Sequence, residues 1–255
     1  QGMSYKREIT TLGRGGSDTT AVALAAALGA ERCEIYSDVD GVYSADPRVI
    51  PDAQHLPELD YETMQEMAES GAKVLNAQAV DWARRNKVAI FARKTGDVPG
   101  RTGVRETVVS DVASADAARR AVVLQKSLAV LSADRGAAAR LLAITVSFSL
   151  PLGVLTLGER HLSAWILLMN VPNWGEARAA LEGAKLDGLR VEEGQGLLSL
   201  VGVEVGTRPD VIATALGCLG SEPRFLFSHP LRLSCVLPDA MLEPAARTWP
   251  DKLGP

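Results

Sequence analysis

The run Thr10-Thr11-Leu12-Gly13-Arg14-Gly15-Gly16-Ser17-Asp18 leads straight into the apolar stretch 19–28, and this junction limits the chain more than any other feature. A loop with three glycines ends on a Ser-Asp pair and opens a helix. Glycine allows φ > 0 and close approach of the backbone to a ligand, while free N–H groups and the positive end of the following helix attract an anion. Phosphate or carboxylate binding is one reading, and a tight connection alone is the other.

Downstream residues favour the binding reading. A strand at 33–36 gives way to Ser37-Asp38-Val39-Asp40-Gly41-Val42-Tyr43-Ser44-Ala45-Asp46-Pro47-Arg48. Such an acidic, glycine-containing turn suits a loop at the carboxyl end of a sheet strand, where nucleotides bind in open α/β folds. Asp60 can cap a helix over 61–70, closed by Gly71, with Met64, Met67 and Ala68 facing the core. Lys73 follows in Ser70-Gly71-Ala72-Lys73-Val74-Leu75. The spacing predicts a second helix over 72–86 with Leu75, Ala79 and Trp82 on one face, then a strand at 88–92. This is the alternation of an α/β layer fold. From 94 to 105 glycine, proline and charge suggest a linker, which puts a domain boundary between about 95 and 118.

These stretches resemble the carboxyl half of the catalytic domain of aspartate kinases, enzymes of the amino-acid kinase fold. The glycine loop, the Ser37 to Tyr43 run, Asp46-Pro47-Arg48, Gly71-Ala72-Lys73 and Asn76-Ala77-Gln78-Ala79-Val80 occur in the family's order and spacing. The resemblance implies that Arg14 holds the α-carboxylate of L-aspartate, for which a planar guanidinium is suited. It implies that Gly15, Gly16 and Ser17 bind that substrate and that Asp18 orients it, with Arg14 and Asp18 as the catalytic pair. Ser37 and Asp38 would touch the adenosine part of ATP, and Tyr43, Arg48, Lys73 and Val74 would line the rest of that site. Family members commonly carry Thr where Ser37 stands, so the hydroxyl is kept. The implied reaction is phosphoryl transfer from ATP, with Mg²⁺, to the side-chain carboxylate of aspartate, the first step of lysine, threonine and methionine synthesis. A carboxylate nucleophile needs no general base, which agrees with the scattered His55, His161 and His229.

The remainder shows a weak repeat with a period near 70 residues. Each unit reads strand, helix, strand, strand, helix: 128–131, a helix to about 148, 153–157, 162–171 and 175–182; then 197–204, 208–219, 224–227, 231–237 and a helix from 240. Two ferredoxin-like modules are expected. They resemble the paired ACT regulatory domains of aspartate kinases. That resemblance places effector binding at Asp134, Arg135 and Gly136, although the proline usual before that glycine is missing. It also implies interleaving, in which 121–125 completes the second unit. Lysine, threonine or both are the implied effectors, and a homodimer or higher homo-oligomer through the ACT modules is implied as well. Modules serving dimerisation alone are the alternative.

The expected fold is therefore α/β: a partial three-layer α/β/α amino-acid kinase domain over 1–110, a first βαββαβ ACT module over 119–194 and a second over 195–255. Residues 120–126 are a candidate to complete the second. No Lys-x-Gly-Gly occurs in the 255 residues, so the chain reads as the carboxyl part of a longer protein that alone lacks kinase activity. A non-catalytic regulatory subunit and another amino-acid kinase, such as a glutamate kinase, are the alternatives. A net charge of −4 offers no footprint for nucleic acid or an anionic membrane. Cys33, Cys218 and Cys235 lack metal or redox spacing and read as free thiols in a reducing, cytoplasmic setting.

Overall fold

The computed structural model describes residues 2–10, 15–97, 100–101, 103–111 and 120–253. Gly13 and Arg14, and residues 98, 99 and 102 of the expected linker, lie outside the described residues. The chain divides into two compact units: Gln1–Leu124 with Leu198–Cys235 and Glu243–Pro255, and Gln125–Leu197 with Val236–Leu242.

The first unit begins with a short ribbon, β1 (Gly2–Met3) and β2 (Ile9–Thr10). It continues through α1 (Gly16–Ala27), β3 (Arg32–Ser37), β4 (Val42–Tyr43), β5 (His55–Leu56), β6 (Glu58–Asp60), α2 (Tyr61–Glu69), α3 (Ala77–Asn86), β7 (Ala89–Lys94) and β8 (Glu106–Ser110). Four strands form a sheet in the order β3-β7-β8-β6. β3 runs parallel to β7, with Arg32 opposite Ala89 and Ser37 opposite Lys94, while β8 runs antiparallel to β7 and parallel to β6. Cys33, Ile90, Ala92 and Val109 from the sheet bury against Val22, Met64, Met67, Ala79, Val80 and Ala83 from the three helices in one apolar cluster. That burial is the main driving force holding the layers together.

Local signals explain the helix ends. Asp60 caps α2 by accepting from the Thr63 N–H at 2.7 Å, as the sequence predicts. α1 begins at Gly16, earlier than the apolar run alone implies, because Gly15 takes a left-handed conformation (φ 76°) and starts the turn. α3 begins at Ala77 and not at residue 72. Gly71 is left-handed (φ 115°) and Asn76 is extended, so the chain between them is a connecting loop. Trp82 is 47% exposed, and the buried face is Ala79, Val80 and Ala83. β6 and β8 are strands that the local sequence does not announce.

β9 (Ala121–Asp134) follows, then α4 (Ala138–Ser147), β10 (Leu152–Leu157), β11 (His161–Leu167), α5 (Trp174–Gly183) and β12 (Arg190–Val201). The strand order β10-β11-β9-β12 makes the second unit a ferredoxin-like βαββαβ module, with β9 and β11 antiparallel from Leu128 opposite Leu167 to Asp134 opposite His161. Leu131, Leu141, Leu162, Ile166 and Leu181 form its core. The chain ends with α6 (Pro209–Gly217), β13 (Phe225–His229), β14 (Arg232–Pro238) and α7 (Asp239–Leu253). In the first unit the order β9-β12-β14-β13 repeats the same topology, with the 121–124 end of β9 as the added strand.

The largest fully buried side chain is Trp249 of α7, whose Nε1–H donates to the Ala215 carbonyl of α6 at 3.2 Å. Trp249→Ala should cost about 3–5 kcal/mol through the cavity and the lost indole packing. Urea denaturation of the two proteins measures this, and a difference under about 1 kcal/mol, typical of surface substitutions, contradicts the packing role.

Candidate functional site

Asn76 ties the glycine loop to the start of α3. Its side-chain oxygen accepts from the Gln78 and Ala79 N–H groups at 2.9 and 3.3 Å and from the Thr19 hydroxyl at 3.4 Å. A side chain on Gly15 would run into the Asn76 amide, with the Asn76 Cβ only 2.8 Å from the added carbon. The amino ends of α1 and α3 are therefore held side by side, with the Gln78 and Ala79 N–H groups of α3 taken by Asn76. Ser17, exposed, and Asp18, half-buried, stand in the first turn of α1, where the Ser17 hydroxyl meets the Asp18 carboxylate at 3.3 Å.

The loop at 71–76 also reaches the acidic segment after β3. Lys73 is exposed and its charge helps to hold the Asp46 carboxyl below the ordinary carboxylate range, after the larger effect of Arg48. Arg48 grips Asp46 with two side-chain bonds of 3.0 and 2.8 Å. Its guanidinium is raised mainly by that carboxylate, with a smaller contribution from Asp38. Asp38, Asp46, Arg48 and Lys73 thus share one electrostatic neighbourhood, and both members of the Asp46–Arg48 pair stay charged near neutral pH. Val74, half-buried, packs against the apolar core of the unit.

The segment itself is tightly folded. The Ser37 hydroxyl accepts from the Val39 N–H at 3.3 Å, closing the first turn. The Tyr43 hydroxyl donates to Asp40 at 2.9 Å and accepts from the Arg105 guanidinium at 3.3 Å. The His55 ring meets Tyr43 edge to face, 5.3 Å between centroids, so His55 serves this fold rather than standing free on the surface. Sequence reading missed Arg105, His55 and Asn76 as contributors, since each acts across a long gap in the chain.

No three Asp, Glu, His or Cys side chains among the described residues gather to hold a metal ion. A shallow groove of about 430 Å³ is lined by Gln65, Glu69, Ala77, Gln78, Asp81 and Trp82, none of them an expected site residue. In the second unit the expected effector residues are engaged locally. Asp134 pairs with His161 at 3.2 Å, its N–H donates to the Asp187 carbonyl at 2.9 Å, and its side chain fills the space beside Gly188. Arg135 donates to the Gly158 carbonyl at 2.9 Å, while Gly136 faces open space. The thiols of Cys33 and Cys235 are buried and free, the latter pushed up to about 12 by burial. Among the described residues no helix is long and apolar enough to cross a membrane.

Gly15→Ala tests the joint of the two helices. A Cβ there meets Asn76 in a left-handed backbone, and the change should cost about 1–3 kcal/mol. Thermal unfolding reads this, whereas Gly29→Ala, also left-handed (φ 65°) but open to space, should cost less; equal losses contradict the crowding at Asn76.

The amino acid kinase family matches residues 1–92. The aspartokinase of Mycolicibacterium smegmatis is 34% identical over 272 aligned positions, covering 100% of this chain and 64% of that protein. The crystal structure of E. coli aspartokinase III in complex with aspartate and ADP (R-state) superposes with a TM-score of 0.81 at 26% identity, covering 99% of this chain and 59% of that one. The same enzyme in complex with lysine and aspartate (T-state) gives 0.78 at 26% identity, covering 99% of this chain and 58% of that one. The chain spans about three fifths of the length of these relatives. Residues 1–92 thus match the amino acid kinase family, and over its whole length the chain is similar to part of the aspartokinases.

Proposed function

We propose that this chain carries the second half of the active site and the regulatory modules of an aspartate kinase, which transfers the γ-phosphoryl group of ATP to the side-chain carboxylate of L-aspartate. The observation that carries the reading is the loop 71–76, which packs Asn76 on Gly15 at one end and brings the Lys73 charge within electrostatic reach of Asp46 at the other. An amino-acid carboxylate and a polyphosphate can thereby be held close together, which is what an in-line transfer needs. The E. coli neighbour, in complex with aspartate and ADP, supports the same pairing of ligands.

In this reading Arg14 pairs with the α-carboxylate of aspartate, and Gly15 and Gly16 bring the amino end of α1 up to the substrate. Ser17 hydrogen-bonds it, and Asp18 orients it. One carboxylate oxygen of the aspartate side chain attacks the γ-phosphorus, the bond to the bridging oxygen of ADP breaks, and 4-phospho-L-aspartate forms. Ser37 and Asp38 hold the adenosine portion, and Tyr43, Arg48, Lys73 and Val74 line the rest. Mg²⁺ would neutralise phosphate charge. With no protein cluster among the described residues to hold it, it would be bound chiefly by the phosphates.

Regulation is the second half of the proposal, with lysine, threonine or both as effector and a homo-oligomer built through the ACT modules. It is supported by bonds inside the first unit. The Val122 N–H donates to the Ser44 carbonyl at 2.6 Å, and Arg247 of α7 donates to the Val49 carbonyl at 3.1 Å. The β13–β14 hairpin grips α2 through Arg232 and Glu66 at 3.1 Å. These elements thus hold the carboxyl-terminal end of the nucleotide segment, and any effector that shifts them must itself respond to nucleotide by linkage.

In the full-length enzyme Arg14→Ala should raise the KM for aspartate at least about tenfold, the scale of one lost charge-assisted pair, with little change for ATP. Lys73→Ala should do the reverse. Steady-state kinetics with each substrate varied separates the two, and equal effects on both constants reject the assignment. The 255 residues alone should bind ATP without turning it over, and sustained aspartate-dependent ADP release would overturn that part.

A further inference from the structure

Thr107 lies on β8, carries no role assigned above, and its side chain is fully buried. Its hydroxyl accepts from the Val42 N–H at 2.7 Å and donates to the Leu56 carbonyl at 2.6 Å. One oxygen thereby uses its donor and an acceptor position to clamp the first residue of β4 and the last of β5. The two-residue ribbon they form sets Val42 opposite Leu56 and Tyr43 opposite His55. Gly41 immediately before it is buried and left-handed (φ 134°), and a Cβ there would stand 2.6 Å from both the Thr107 hydroxyl and His55 Nε2. The backbone at 41–43 is therefore pressed onto Thr107 and has no second seat.

Arg105, two residues earlier on the same side of the chain, donates to the Tyr43 hydroxyl, and that hydroxyl in turn binds Asp40. The backbone and the side-chain tip of Tyr43 are thus fixed from one short stretch, residues 105–107. On this basis, and resting on the reading of 37–48 as the nucleotide segment, we propose that Thr107 is a positioning residue of the nucleotide site, with Arg105 as its exposed assistant. Thr107 holds Val42 so that Tyr43 is presented to the nucleotide in one orientation before the nucleotide arrives. Buried groups that lose such a partner carry the cost of an unmade bond, so the backbone would reorganise rather than remain in place.

The test is calorimetric titration of MgATP into the 255-residue protein and three variants. Thr107→Val keeps the volume and removes the hydroxyl, and it should weaken binding about tenfold or more. Thr107→Ser keeps the hydroxyl and should stay within about threefold of wild type even where removal of the methyl lowers Tm. Arg105→Leu, on the surface, should weaken binding severalfold with Tm unchanged. A folded Thr107→Val protein with wild-type affinity overturns the proposal, as does a serine variant that binds as weakly as the valine one. Should the valine variant fail to fold, wild-type affinity in Arg105→Leu overturns it. Failure of the wild-type chain to bind MgATP removes the nucleotide reading and the proposal together, whereas wild-type binding untouched by these changes removes the proposal alone.

Discussion

The candidate site depends on one amide. Asn76 closes the amino end of α3 with its own oxygen and fills the space that only a glycine at position 15 leaves open. Two helices that would otherwise end at separate places are made to begin together. Neither helix end alone makes a site, since four free N–H groups at an isolated terminus are satisfied by water. Brought together, the positive ends of the two helices lie near one another, with Lys73 three residues before Asn76 in the chain. The spacing between Lys73 and Asn76 is short enough that moving one moves the other.

A second constraint comes from β8, the strand that arrives last in the first sheet. Arg105 just before it and its own Glu106 and Thr107 all engage other elements. Arg105 holds Tyr43, Thr107 holds Val42 and Leu56, and Glu106 pairs with Arg93 of β7 at 2.5 Å. Arg93 is almost fully buried and also meets Glu34 of β3 at 2.6 Å. Burial works against its charge, yet the two carboxylates outweigh burial and keep it protonated. Removing both carboxylates would leave that buried charge uncompensated, typically a loss of about 3–5 kcal/mol. The result is a sheet in which β3, β7 and β8 are joined by charge and in which β8, an inner strand, also holds the backbone at Val42.

The sequence revealed those parts whose cause is local. The glycine run before an apolar stretch is a helix start because the backbone there must turn left-handed, and Asp60 caps α2 because its carboxylate reaches Thr63 within one turn. The repeat of strand, helix, strand, strand, helix was legible because two modules print the same pattern twice. Causes that act at a distance left no trace. The 72–86 helix prediction put Trp82 inward because its spacing suits Leu75 and Ala79. Asn76 cuts that helix short, and the true face then turns to Val80 and Ala83. Thr107 is one threonine among polar neighbours until β8 pairs with β7 and carries it to Val42, 65 residues back along the chain. Arg14, the residue on which the substrate reading leans most, lies outside the described residues, and its role is carried by the motif around it.

The long strand β9 shows how one segment serves two modules without a break in the chain. Ser127 takes a left-handed conformation (φ 66°) in its middle, and Gly194 does the same (φ 71°) in β12. A left-handed residue resets the alternation of side chains, because the strand period of two is interrupted there. In β9 the residues before Ser127, Ala121 to Val123, are buried, and so are Leu128 to Leu131 after it. The irregularity would leave a backbone donor exposed at Ser127, and the Asp239 carboxylate at the start of α7 takes it at 3.4 Å. Gly196 stands beside the same carboxylate and the Gln125 carbonyl, in a space that admits no side chain. The apolar stretches on the two sides of Ser127 feed two clusters, Ala121 and Val123 one, Leu131 and Ala133 the other.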